Sequence, residues 1–232
     1  MATASPVIAL VPVRGGSKGL PGKNMRRLAG VPLYLHAVRQ ALRVAGRCIV
    51  TTDIEEILAE SAPDGCTVLR RPADLAGDAV PMLDVVRDVI GRLDLHAETL
   101  LLLQATSPLR SDGDLRAVLD LHASGRFAMT MAVAPVDRSQ LKFGILDGDA
   151  FRPVADPAYC FTNRQALPET GRPNGAAYAF TADAFRAAGG WPYQSIGAVA
   201  MPPERSLDID TLEDFDRVEA ILRSQGAEAS RQ

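Results

Sequence analysis

The sequence predicts a three-layer α/β/α domain built on a doubly wound, mainly parallel sheet. Three observations carry this. Short apolar runs of strand length alternate with stretches of helical periodicity about ten to fourteen residues long. The leading runs are continuously apolar, as strands buried on both faces are. The chain has 232 residues, 47% hydrophobic and 23% charged, which suits one large domain with a sizeable core.

The elements follow in order. Residues 7–13 (VIALVPV) read as a first strand. A loop over 14–24 rich in Gly, Lys and Arg comes next, then a helix over 32–44 with Leu35, Val38, Leu42 and Ala45 on one side. A strand over 47–52, a helix over 54–61 and a short strand over 67–69 follow. Residues 81–93 repeat Val85, Val86, Val89, Ile90 and Leu93 at helical spacing. Residues 99–104 are the most hydrophobic strand, 112–122 the next helix and 128–133 another strand. The alternation then stops. Residues 137–173 are polar and rich in Pro and Gly, too long for an idle connection. They read as a small dimerising or sugar-binding extension containing a hairpin, inserted into a single domain spanning 1–232. Strands over 176–180 and 196–201, a closing helix over 211–222 and a frayed tail over 223–232 complete the chain.

Composition narrows the partners. The formal net charge of −3 gives no electrostatic footprint for nucleic acid or a membrane surface. No run approaches the roughly twenty apolar residues of a membrane helix, and the first residues lack the basic start of a signal peptide. Cys48, Cys66 and Cys160 are widely spaced, odd in number and free of CxxC spacing. They read as buried reduced thiols of a cytoplasmic protein, neither a disulfide framework nor a zinc site. His36, His96 and His122 lack metal-like spacing.

Chemistry concentrates in two places. After the first strand, Arg14-Gly15-Gly16-Ser17-Lys18-Gly19-Leu20-Pro21-Gly22-Lys23-Asn24 sets three cations and four glycines where an open α/β sheet binds ligands. Glycines let backbone amides approach an anion, and Arg14, Lys18 and Lys23 match the charge of a nucleoside triphosphate. The spacing is neither a P-loop nor a Rossmann fingerprint, which disfavours an NAD-dependent oxidoreductase. Near the other end, Asp208 and Asp210 lie two apart in an extended stretch, so both carboxylates share a face while Leu207 and Ile209 face the core. Paired carboxylates suit Mg²⁺, which completes its shell with water and substrate oxygens. Asp210 with Glu213 also fits an N-cap and capping box for the last helix, which leaves Asp208 unexplained.

The run Pro12-Val13-Arg14-Gly15-Gly16-Ser17-Lys18-Gly19 with Lys23-Asn24 resembles the signature loop of the acylneuraminate cytidylyltransferase family, the CMP-sialic acid synthetases. The resemblance continues in Thr51-Thr52-Asp53, in Arg71-Pro72-Ala73-Asp74-Leu75-Ala76 and in Gln104-Ala105-Thr106-Ser107-Pro108-Leu109-Arg110. It ends in Arg172-Pro173-Asn174-Gly175-Ala176 and Ser206-Leu207-Asp208-Ile209-Asp210, in family order. It implies a nucleotide-diphospho-sugar transferase-like fold and transfer of CMP from CTP to the anomeric hydroxyl of an acidic sugar. Mg²⁺ would sit on Asp208 and Asp210 and pyrophosphate would leave. By the same resemblance Arg14, Gly15, Gly16, Ser17, Lys18, Lys23, Asn24 and Arg71 serve the nucleotide. Gln104, Lys142, Arg164, Arg172, Asn174 and Tyr178 serve the sugar, and the extension reaches a second copy in a homodimer.

The match departs at Asp78-Ala79-Val80-Pro81-Met82, where the family commonly carries hydroxyls, so Ala79 and Met82 leave the strictness for CTP open. The second catalytic domain of some larger relatives is expected to be absent. Two alternatives stay open. One is a sister enzyme acting on legionaminic, pseudaminic or a 3-deoxy-ulosonic acid, or on a phosphonate. The other is a catalytically silent nucleotide-binding protein.

Overall fold

The computed structural model describes residues 5–229. The expectations about a leader at Met1 and about the last tail residues therefore lie partly outside it. The strands are β1 (Val7–Val13), β2 (Arg27–Leu28), β3 (Val31–Pro32), β4 (Cys48–Thr52), β5 (Cys66–Arg70), β6 (Thr99–Leu102), β7 (Met129–Val136), β8 (Gly144–Asp147), β9 (Ala150–Pro153), β10 (Thr170–Thr181) and β11 (Ile196–Ala200). The helices are α1 (Leu33–Ala45), α2 (Glu55–Ala59), α3 (Met82–Arg92), α4 (Asp112–Ala123), α5 (Ala182–Ala187) and α6 (Leu212–Ala229).

Seven strands form one sheet in the order β11-β7-β10-β6-β1-β4-β5. Neighbours are parallel except where β10 meets β6 and β7. The side-chain period of two splits β1 between the layers. Ala9, Val11 and Val13 pack with Ala37, Val38 and Ala41 of α1 and Leu115 and Val118 of α4. Ile8 and Leu10 pack on the other face with Val86, Val89 and Ile90 of α3 and Phe185 of α5. Helices thus cover both faces, and every residue of β6 is buried. α6 closes one end, where Phe215 and Val218 join Leu20, Leu28 and Ile209. That packing draws the Asp208–Asp210 segment against the loop that follows β1.

Several elements differ from expectation. The 137–173 segment yields the antiparallel hairpin β8–β9 and short 3-10 turns, but β10 already begins at Thr170 and pairs Arg172 with Ala134. A register shift between Pro173 and Tyr178 breaks that strand, which is why Pro173 and Gly175 read locally as a loop. The expected tail is helical through Ala229. The last helix is not capped by Asp210 and Glu213. Thr211 Oγ1 accepts the Asp214 amide at 3.2 Å, and Asp214 Oδ2 accepts the Thr211 amide at 2.8 Å. Asp210 is thereby released from capping. Of the cysteines only Cys48 is buried; it faces Cys66 on the same rung of β4 and β5, and all three are free thiols.

Candidate active site

β1 sits between β6 and β4 in the sheet, so chain connections leave it in opposite directions, and the crevice at its carboxyl end is a topological switch point. A cleft of ≈ 560 Å³ opens there. It gathers residues spread over the whole chain: Arg14, Ser17, Lys18, Lys23 and Asn24 from the loop after β1, Arg71 after β5, Gln104 after β6, and Asp208 with Asp210.

The loop is held by its own bonds. Asn24 Nδ2 donates to Arg14 O at 2.9 Å, and the Gly15 amide donates to Asp53 Oδ1 at 2.9 Å. The Ser17 amide is also committed, to Gly15 O at 3.0 Å, so part of the expected amide concavity is already occupied. Gly19 is required by close approach: a Cβ there would lie 2.5 Å from Asp210 O. Lys23 is buried, bonded to Ile209 O, and reaches Asp210 Oδ1 at 3.1 Å. It therefore bridges the cation loop to the carboxylate segment and is not simply aimed at open cleft.

One carboxylate was not singled out by the sequence. Asp78 lines the cleft, pairs with Arg14 Nη1 and sits 3.0 Å from Lys18 Nζ. Those two cations hold its carboxyl below the usual range. The available signal was an acidic residue beside Gly77, opposite a cation-rich loop. Arg71 is buried, and desolvation lowers its pKa; Nη2 donates to Thr51 O at 2.9 Å while Nε has no partner. Its neighbour Arg70 turns away and forks onto exposed Glu55.

On the opposite wall the Gln104 side chain lies against Gly175, whose φ of +76° and lack of a Cβ make room for it. Here the cleft adjoins an apolar cavity of ≈ 360 Å³ that shares Met82 and Gln104 and adds Met131, Tyr178 and Trp191. Burial raises the Tyr178 pKa, with the charge of Asp208 adding to it. Asn174 is turned inward: Nδ2 donates to Ser206 Oγ at 3.0 Å and Oδ1 accepts the Ala176 amide at 3.1 Å. It braces β10 against the segment leading to Asp208. Lys142, Arg164 and Arg172 do not line the cleft. Lys142 ends a 3-10 turn, Arg172 is exposed on β10, and Arg164 pairs with Asp137 Oδ2 at 2.5 Å beside a separate depression of ≈ 640 Å³.

Asp208 is half-buried and accepts from Ser107 Oγ at 3.3 Å, whereas the Asp210 side chain is 76% exposed. Two carboxylates next to a phosphate-sized cluster of cations suit a hard divalent cation that draws its remaining ligands from water and substrate oxygens. No group of three or more His, Cys, Asp or Glu among the described residues forms a closed metal cage. The donor set therefore fits a divalent cation held at an open site by two carboxylates.

Known proteins resemble this chain in sequence and in fold. The N-acylneuraminate cytidylyltransferase of Streptococcus agalactiae serotype V is 30% identical over 91% of this chain and 52% of its own length. The chain thus spans about half the length of that curated relative. The CMP-N,N'-diacetyllegionaminic acid synthase of Campylobacter jejuni is 27% identical over 93% of this chain and 94% of its own. Among solved structures, CMP:2-keto-3-deoxy-manno-octonic acid synthetase complexed with CTP superposes with a TM-score of 0.67 at 17% identity, covering 95% of this chain and 100% of that one, a shared fold. The family described as Cytidylyltransferase matches residues 8–143, more than half of the chain, over the cation loop, Arg71 and Gln104. The chain belongs to the cytidylyltransferase family.

Proposed function

We propose that this protein transfers CMP from CTP to the anomeric hydroxyl of an acidic nonulosonic sugar of the N-acylneuraminate type and releases pyrophosphate, with Mg²⁺ as its cofactor. The observation that carries this reading is the meeting, in one cleft, of the cation loop with Asp208 and Asp210, and of both with Gln104 at the mouth of an apolar cavity.

Arg14 and Lys18 hold the β- and γ-phosphates and spread the charge of the departing pyrophosphate. Asn24 and Arg71 line the cleft, and each keeps one buried polar atom without a partner, Asn24 Oδ1 an acceptor and Arg71 Nε a donor. That pair suits a base which offers an exocyclic amino group beside ring acceptors, as cytosine does. Gln104 orients the acceptor, and the apolar cavity takes its acyl substituent. Asp208 and Asp210 would hold Mg²⁺, which on binding neutralises phosphate charge and acidifies the attacking hydroxyl. Positioning and electrostatics supply the remaining acceleration.

The sister reading, with a legionaminic-type acceptor, is favoured by one observation: the cavity wall at Met82 and Met131 is thioether rather than hydroxyl, which suits an acceptor poorer in hydroxyls. The 137–173 extension supports a homodimer as part of the proposal. Its Phe143, Leu146, Val154 and Phe161 are exposed, up to 92% at Phe161, more apolar surface than a lone hairpin usually leaves open. Among the described residues no helix is long and apolar enough to cross a membrane, and the free thiols fit the cytoplasm we infer.

The test is pyrophosphate release from each of the four nucleoside triphosphates with Mg²⁺, across a panel of acidic sugars. CTP with a nonulosonic acid is the expected productive pair. Release only with another base or a small acid would reassign the substrates, and silence with nucleotide still bound would point to a non-catalytic binder.

A further inference from the structure

A buried cation lies just behind the acceptor wall. Arg110 is 2% exposed and, by volume, ranks among the largest fully buried side chains. Its Nη1 donates to two carbonyls, Gln104 O at 2.6 Å and Ser107 O at 2.9 Å, while Nε and Nη2 have no partner. Gln40 Nε2 of α1 donates to the Arg110 carbonyl at 2.5 Å and anchors it from behind. The charge is buried without a paired carboxylate among the described residues, and burial pushes its pKa down to about 9 against the opposing pull of Asp208. A leucine or methionine would fill that volume without the desolvation cost, so packing alone does not account for a guanidinium here.

What the two carbonyls belong to supplies the reason. They are the ends of the 104–107 turn, and that turn touches both halves of the proposed reaction. Gln104 presents its side chain to the acceptor wall. Thr106 O accepts the Ile209 amide at 2.9 Å, and Ser107 Oγ donates to Asp208 Oδ1 at 3.3 Å. One nitrogen gripping both ends of the turn fixes Gln104 relative to Asp208.

We propose that Arg110 is a positioning residue: it clamps the 104–107 turn so that Gln104 and Asp208 keep one separation. This rests on the cytidylyltransferase reading for its substrates, but its geometry concerns Arg110, the turn and the carboxylates alone. The CTP half of the cleft hangs from the loop after β1, outside the clamp. The clamp therefore separates two sets of constants that a general loss of structure would move together.

The experiment uses the full chain with Arg110→Met, which keeps volume but removes donors and charge, Arg110→Lys, which keeps the charge and an ammonium donor but loses the planar guanidinium that reaches both carbonyls, and Ser107→Ala. Calorimetry reads the Kd for CTP without metal and the affinity of the CTP complex for Mn²⁺; steady-state kinetics reads the KM of the acceptor. Arg110→Met is expected to weaken Mn²⁺ and raise the acceptor KM by about tenfold each, in the range typical when a group that orients a ligand is removed. CTP binding should stay within about twofold, by the same reasoning. Arg110→Lys should fall between wild type and Arg110→Met in both constants, and Ser107→Ala should lose Mn²⁺ affinity alone. A folded Arg110→Met protein with wild-type Mn²⁺ affinity and acceptor KM overturns the proposal, as does one in which CTP weakens equally. Where Arg110→Met does not fold, unchanged Mn²⁺ affinity in both Arg110→Lys and Ser107→Ala overturns it. Failure of the functional reading shows separately, as wild-type protein that binds CTP and transfers to no acceptor, and the Mn²⁺ constants of the variants still decide the clamp.

Discussion

Replacing Gly19 with alanine adds one methyl group where there is no room for it. The new Cβ would sit 2.5 Å from Asp210 O, an obstacle made of backbone that no side-chain rotation relieves. Opening that approach to ordinary contact, about 3.4 Å, requires the loop or the carbonyl to move by about 1 Å. The φ of Gly19 lies outside the left-handed region, so the contact alone produces the effect. The displacement separates the cation loop from Asp210, the two halves that must converge on one triphosphate. Misplacement of about 1 Å between reacting groups costs roughly a hundredfold in rate. Gly19→Ala is thus expected to lower kcat by about a hundredfold, while its Tm falls by less than about 4 °C because Gly19 itself is exposed. Pyrophosphate release under saturating CTP and acceptor, with calorimetry of the fold, measures both. A variant turning over within threefold of wild type would refute the reasoning.

Two further outcomes follow from ion pairs. Asp78 occupies Arg14 and Lys18, the cations assigned to phosphate, so Asp78→Asn should bind inorganic pyrophosphate several-fold more tightly in metal-free calorimetry, as modest partly exposed pairs allow; unchanged or weaker binding would show that Asp78 orients those cations instead. Asp114 caps α4 with Ser111 and receives the Arg205 fork at 2.9 Å on each oxygen; burial pushes its pKa up, but these donors outweigh it and hold it below the usual range. A carboxyl with a depressed folded pKa stabilises above its unfolded value near 4 and loses that contribution as pH falls through the folded one. Asp114→Asn should therefore cost about 2 kcal/mol at pH 7, and the gap from wild type in thermal unfolding should shrink below about pH 4; a pH-independent gap contradicts the assignment.

The layers of the fold were legible because each strand and helix of the β/α alternation buries a face, and burial writes a period into the sequence. Elements that bury little write none. The six-residue α5 and the two-residue strands β2 and β3 went unseen, and β10 was cut short because its register shift puts Pro173 and Gly175 inside a strand. At the site, residue type and neighbourhood in sequence exposed Arg14, Lys18, Asp208 and Asp210. Partnerships across the chain were not legible. Asp78, Ser107 and Arg110 matter through what they meet 64, 101 and a few residues away, and only folding brings those groups together. The same limit hid the inward turn of Asn174, whose partner Ser206 lies 32 residues away, whereas the capping of α6 by Thr211 and Asp214 is local and was open to a reading of residues 211–214.

The central claim is that the cation loop and the Asp208–Asp210 pair together move a cytidylyl group. Phosphorus NMR of wild-type protein with CTP, Mg²⁺ and N-acetylneuraminate tests it most directly, with Asp208→Ala alongside. The account predicts one product phosphodiester resonance from the α-phosphorus, an equal amount of pyrophosphate, and a loss of about a thousandfold in rate in Asp208→Ala, the scale expected when a metal-holding charge is removed. CTP cleaved to CDP and phosphate, or transfer undiminished in Asp208→Ala, would contradict it.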